Sequence, residues 1–149
     1  MTESLSLPWD VPSPFIYRYT VCAEDIDILG HANNARYLVW LEKAAWEHSS
    51  AVNLGWDRYQ ELGVAVVARR TEMDYIAEAL EGQSLQIGTW ISENRGRATM
   101  WRSYQIIREA DQVTLMRART QWAVVNLGTG RPCKQPDAFL EGYAETAAE

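Results

Sequence analysis

The sequence predicts an α+β domain in which an antiparallel sheet of about five strands wraps around one long helix. Three observations lead there. One stretch, Ala35 to Val52, keeps apolar residues at helical spacing. Every other regular stretch alternates with period two, and about four of these follow the helix in succession, separated by short turn signals. One helix cannot cover both faces of such a sheet. The sheet therefore closes over the helix on one face and leaves the other to water or a partner subunit.

Taken in order, Phe15 to Cys22 is the first strand, with Phe15, Tyr17, Tyr19 and Val21 on one face. Ala23 to Asn34 is a loop broken by Gly30. Asn33 or Asn34 is suited to cap the helix that follows. Leu38, Leu41, Ala45 and Val52 carry the helical period, and Tyr37, Trp40 and Ala44 widen the apolar face. After Gly55, Trp56 to Leu62 forms one more turn. Val64 to Tyr75 is the second strand. Glu81-Gly82-Gln83 turns the chain into a third, in which Leu85, Ile87, Thr89 and Ile91 alternate with Gln86, Gly88, Trp90 and Ser92. Asn94-Arg95-Gly96-Arg97 turns it again into Met100 to Arg108, and Ala110-Asp111 separates that strand from Val113 to Asn126. Trp90, Trp101 and Trp122 are candidates for the outer face. The domain is expected over residues 15–137, between a flexible arm (1–14, with Pro8, Pro12 and Pro14) and a flexible tail (138–149).

Composition narrows the function. The chain has 149 residues, 47% of them hydrophobic, and a formal net charge of -6. That balance disfavours a nucleic-acid binder. No window holds the roughly 18 consecutive apolar residues of a membrane span, and the first residues lack the basic start and apolar centre of a secretory signal. Two distant cysteines, Cys22 and Cys133, fit free thiols in a reducing, cytoplasmic setting. Two histidines without clustered ligands give no metal signature, and no cofactor is expected.

The segment Asp25 to Tyr37 holds the densest chemistry: two acids, His31, Asn33 and Asn34, placed just before the helix. A helix start carries unpaired N–H groups and partial positive charge. Carboxylates and carboxamides there can hold water and stabilise an oxyanion. Asp25 lies two positions from Asp27, points the other way if the loop is extended, and is expected to bond turn amides. The absence of a Gly-x-Ser-x-Gly elbow argues against a serine triad.

The pattern Asp27-x-x-Gly30-His31-x-Asn33-Asn34-x-x-Tyr37, followed by Trp40 and Glu42, resembles the hotdog-fold acyl-CoA thioesterases of the 4-hydroxybenzoyl-CoA thioesterase-like family. A further likeness to acyl-carrier-protein thioesterases is present. The resemblance runs from about Phe15 to Pro136 and includes the closing Thr129-Gly130-Arg131-Pro132. It implies a hotdog fold and a catalytic set of Asp27 as nucleophile or general base, Asn34 as oxyanion donor through its backbone, and His31 as assistant. The carrier-protein branch also has an asparagine between its acid and its histidine; here Leu29 stands there. The resemblance implies a homodimer or homotetramer whose site draws on both chains.

Asn33, Tyr37 and Glu42 are the further substrate-binding candidates, Glu42 with the competing reading of pairing with a sheet arginine. Arg95 and Arg97 flank Gly96 in a turn and are the candidates for the CoA phosphates. The leading expectation is an acyl-CoA thioesterase. The alternatives are a thioesterase for acyl-carrier protein and a hotdog module that binds acyl thioesters without turnover. A hotdog dehydratase is disfavoured because Ala32-Asn33 follows His31, where that family usually has Phe-Pro.

Overall fold

Alternating side chains along five stretches give five strands, and their pairing is antiparallel throughout. The computed structural model describes residues 6–146. Strand β1 (Phe15–Thr20) is followed by a single 3-10 turn (Ala23–Asp25) and then helix α1 (Asn34–Ala51) and helix α2 (Trp56–Leu62). Strands β2 (Val64–Tyr75), β3 (Ser84–Asn94), β4 (Thr99–Arg108) and β5 (Val113–Asn126) come next, and α3 (Asp137–Gly142) closes the chain. The sheet order is β1-β3-β4-β5-β2. The two edges are therefore the first strand and the strand that follows the helices. This is the hotdog arrangement that the resemblance implied, with element bounds within two residues of those expected for most strands and for α1.

Helix α1 buries Tyr37, Trp40, Leu41 and Ala44 against β1 and β3 to β5, where Leu85, Ile87, Tyr104, Ile106 and Leu115 face it. Each large side chain removed from water there contributes roughly 1.5–3 kcal/mol before the entropy of ordering is subtracted. A second cluster, with Leu54, Tyr59, Phe139 and Tyr143, packs under the far end of the helix.

The described parts of both chain ends differ from the loose segments expected. Leu7 and Val11 are buried, Asp10 pairs with Arg117 at 2.7 Å, and Trp9 lies on Gly88, where a β-carbon would meet ring carbons at 2.5 and 2.8 Å. At the other end Phe139 and Tyr143 are buried, and the Thr146 amide donates to the Ile91 carbonyl at 2.8 Å. The physical reason is unmatched apolar area: the sheet's outer face and the far end of the core both need cover, and the described parts of the arm and tail supply it. Residues 1–5 and 147–149 of those two segments lie outside the described residues.

The tryptophans also divide. Trp90 is buried on the outer face and Trp101 lies there under the Arg119 guanidinium. Trp122 is on the inner face, packed with the second cluster, so its expected outward placement is corrected. No helix among the described residues is long and apolar enough to cross a membrane.

Candidate active site

The loop before α1 is built by short-range backbone pairing. Ile26 and Ala32 form an isolated antiparallel bridge. Between them the Asp27 amide donates to the His31 carbonyl, and the Gly30 amide donates to the Asp27 carbonyl, both at 3.0 Å. Gly30 adopts φ 85°, a left-handed conformation that favours glycine. One carboxylate oxygen of Asp27 accepts the Leu29 amide at 2.9 Å. The side chain is half-buried, and among the described residues its second oxygen has no hydrogen-bond partner. The turn tip, Ile28 and Leu29, stands in solvent.

Asn33 caps α1: its Oδ1 accepts the Ala35 amide at 2.9 Å, and its own amide donates to the Asp25 carbonyl at 2.8 Å. The Asn34 amide, first in the helix, donates to no protein atom among the described residues. The Asn34 carbonyl accepts the Tyr75 hydroxyl at 2.9 Å. His31 Nε2 lies 3.1 Å from Glu78 Oε2. Glu78 sits in the segment that supports this loop, where the Ala32 amide donates to the Ala79 carbonyl at 2.9 Å. Tyr37 is buried, and its hydroxyl accepts the Ala79 amide at 3.0 Å. It fixes the support of the loop from within the core.

Asp25 has a different environment. It is fully buried and accepts the Tyr19 hydroxyl at 2.6 Å, the Cys22 amide at 3.0 Å and Arg36 Nε at 2.7 Å. Burial alone would raise its pKa, but these donors outweigh it and hold the carboxyl down at about 2. Tyr19 answers in the opposite sense, its pKa pushed well up by burial and by its bond to Asp25. The expectation that Asp25 bonds turn amides fits its contact with Cys22.

The other predicted residues lie apart from this loop. Asp27 belongs to the end of the sheet where Thr20 pairs with Ser84. Arg95 and Arg97 belong to the β3–β4 turn, at the opposite end. Strand β3 spans its 11 residues over roughly 35 Å, so within one chain these arginines and Asp27 share no pocket. Arg95 pairs with Glu93 at 3.3 Å, and the two arginines line a polar hollow with Trp101 and Gln121. Glu42 is exposed and forms no ion pair with a sheet arginine among the described residues.

Glu42 instead lies on the rim of a cleft of about 210 Å³ between α1, α2 and the inner face of the sheet. Sequence reasoning missed this cleft. Its walls include Trp46, Val66, Met100 and Trp122, and at its base lies Arg102. Arg102 is only 3% exposed. Its Nη1 contacts His48 Nδ1 at 2.9 Å and Thr89 Oγ1 at 3.0 Å. Burial and the adjacent guanidinium push the His48 pKa down to about 4, so the ring is neutral and accepts that bond. A signal was available. Met100, Arg102, Tyr104 and Ile106 share one strand face, and a charged residue in an inward apolar register calls for a partner. Among the described residues no group of histidines, cysteines and carboxylates could hold a metal.

The model of a family described as the thioesterase-like superfamily matches residues 21–142. The acyl-CoA thioesterase YbgC of Haemophilus influenzae is 29% identical over 123 residues, covering 82% of this chain and 88% of its own. A 1,4-dihydroxy-2-naphthoyl-CoA thioesterase from Synechocystis superposes with a TM-score of 0.79 at 20% identity, over 88% of this chain and 96% of that one. A Staphylococcus aureus hypothetical protein solved in complex with CoA gives a TM-score of 0.84 at 16% identity, over 93% and 89% of the two chains. At such identities the solved structures speak for the fold alone.

Proposed function

The chain belongs to the thioesterase-like superfamily, and from that premise we propose that it hydrolyses an acyl-CoA to a free acid and CoA, with Asp27 as general base or nucleophile. The observation that carries this reading is the pairing of two features in one short segment. Among the described residues, Asp27 keeps one carboxylate oxygen free of protein partners, and the Asn34 amide opens the helix without an acceptor. Asp27 takes a proton from the water that attacks the thioester carbonyl, or the carboxylate itself attacks to give a mixed anhydride that water then hydrolyses; on either route the C–S bond breaks, CoA leaves as a thiolate and the free acid is released. A thiol pKa of about 8–9 makes it a good leaving group, so little acid catalysis is needed. The Asn34 N–H, at the positive end of the helix, meets the oxyanion. His31, braced by Glu78, and the Asn33 cap hold the loop in place. The free thiols of Cys22 and Cys133 suit a cytoplasmic setting.

The separation of Asp27 from Arg95 and Arg97 supports a shared site. Strand β2 is a long free edge, exposed from Val67 to Thr71, and such an edge invites pairing. Antiparallel pairing of two β2 strands sets the Tyr75 end of one chain against the Val64 end of the other. That brings one chain's Asp27 loop toward its partner's cleft and β3–β4 turn. The test is a panel of acyl-CoAs with a colorimetric free-thiol readout, run beside sedimentation. Thiol release by a dimer or tetramer is expected. Absence of release from every acyl-CoA rejects the hydrolase, and a fully active monomer rejects the shared site.

A further inference from the structure

Arg102 is a buried cation whose hydrogen bonding is half finished. Its Nη1 is occupied by His48 and Thr89, while Nε and Nη2 meet no acceptor among the described residues. Arg102 also lines the cleft. No carboxylate lies within ion-pair distance of it among the described residues. A buried charge without a counter-charge is strongly disfavoured. The ring of Tyr143, 5.6 Å from Cζ, offsets only part of that.

The Nε–Nη2 edge of a guanidinium is one of its forks for a carboxylate. Around it the cleft sorts into two zones. Ser49, Tyr59 and Tyr143 form a hydroxyl chain at the polar end, with Ser49 Oγ and Tyr143 Oη 2.6 Å apart. Ala45, Trp46, Val66 and Met100 make the apolar wall, and Trp122 Nε1 there is buried without an acceptor among the described residues. At ~30 Å³ per heavy atom, about 210 Å³ holds a short chain and one carboxylate. Glu42 on the rim is exposed, so water screens its repulsion of an incoming anion.

We propose that this cleft is a specificity pocket for acyl groups of about four to six carbons that end in a carboxylate, with Arg102 as the residue that reads the terminal charge. This rests on the thioesterase reading above: the thioester end reaches the Asp27 loop of a paired chain while the free acid end docks on Arg102. Neutral acyl groups of equal length leave the fork unanswered and pay its desolvation, which is what separates the two classes.

The test compares adipyl-CoA with hexanoyl-CoA, and succinyl-CoA with butyryl-CoA, on the full chain and on Arg102→Met and Arg102→Lys. Wild type is expected to favour each dicarboxylic thioester in kcat/KM by at least about 10-fold. Arg102→Met is expected to abolish or invert that ratio, and Arg102→Lys, which keeps charge but not the fork, to give an intermediate one. Equal use of both classes by wild type, or a ratio that survives Arg102→Met, overturns the proposal. If Arg102→Met does not fold, the wild-type and Arg102→Lys ratios decide. If no acyl-CoA is turned over, the hydrolase reading fails, and quenching of tryptophan fluorescence by hexanoate against hexanamide judges the cleft alone. Preferential quenching by the anion, lost in Arg102→Lys, supports it; equal quenching or none overturns it.

Discussion

Asp25 and Arg102 are both buried charges near the ends of α1, and they are treated in opposite ways. Asp25 is enclosed by a hydroxyl, an amide and a guanidinium, so its charge is answered within the chain. Arg102 has two neutral neighbours on one nitrogen, no acceptor among the described residues on the other two, and a place in the lining of a cleft. A satisfied buried charge holds structure together; an unsatisfied one beside open volume is poised for something that is not part of the chain. Asp27 adds a third case, half-buried and half-answered, in the loop that Asp25 braces.

The sharpest way to break this comparison is to remove one charge from each carboxylate. Asp27→Asn keeps shape and is expected to lower kcat by about 10²–10⁴-fold, with a melting temperature close to wild type. Unchanged thiol release from that variant removes Asp27 from the mechanism. Asp25→Asn reverses the pattern. Losing the buried charge that joins Tyr19, Cys22 and Arg36 is expected to lower the urea midpoint by more than Asp27→Asn does, with kcat near wild type in the folded fraction. A large kcat loss at unchanged stability makes Asp25 chemical rather than structural.

Acid titration separates the two regions by pH window. His48 is held down at about 4 from its ordinary 6.5. The unfolded chain therefore binds the proton first, and this contribution is complete above about pH 6.5 and lost as pH falls toward 4. Asp25, at about 2 against an ordinary 3.8, contributes stability that is complete above about pH 4 and lost as pH falls toward 2. Urea midpoints measured from pH 7 to pH 2 should decline in both windows. His48→Gln should flatten the upper window and Asp25→Asn should shallow the lower one. A decline confined to the lower window means that His48 titrates freely.

The smallest effect is expected at the distant arginines. Arg95→Ala with Arg97→Ala should raise KM for acyl-CoA several-fold with kcat within about two-fold, because phosphate binding is nearly uniform between ground and transition states. A short pantetheine thioester should show no such increase. An equal rise for both substrates assigns the pair to structure, and no rise for either moves the nucleotide elsewhere.

Periodicity and turn chemistry in the sequence by themselves determined the strands, the long helix, its asparagine cap and the loop with Asp25 and Asp27, because these are local: side-chain alternation, Gly30 in a left-handed turn, and a carboxamide before a helix. The tertiary structure alone decided three matters. It packed Leu7, Val11, Phe139 and Tyr143 into place, since proline-rich and polar ends reveal nothing of the apolar area waiting for them. It set Arg95 and Arg97 at the far end of the sheet from Asp27, since strand length converts a turn's identity into its distance from the loop. And it gave Arg102 its meaning. Within the sequence it is one arginine among alternating residues; only the meeting of β4 with His48 and Tyr143, more than 40 positions away on either side, buries its charge beside the cleft.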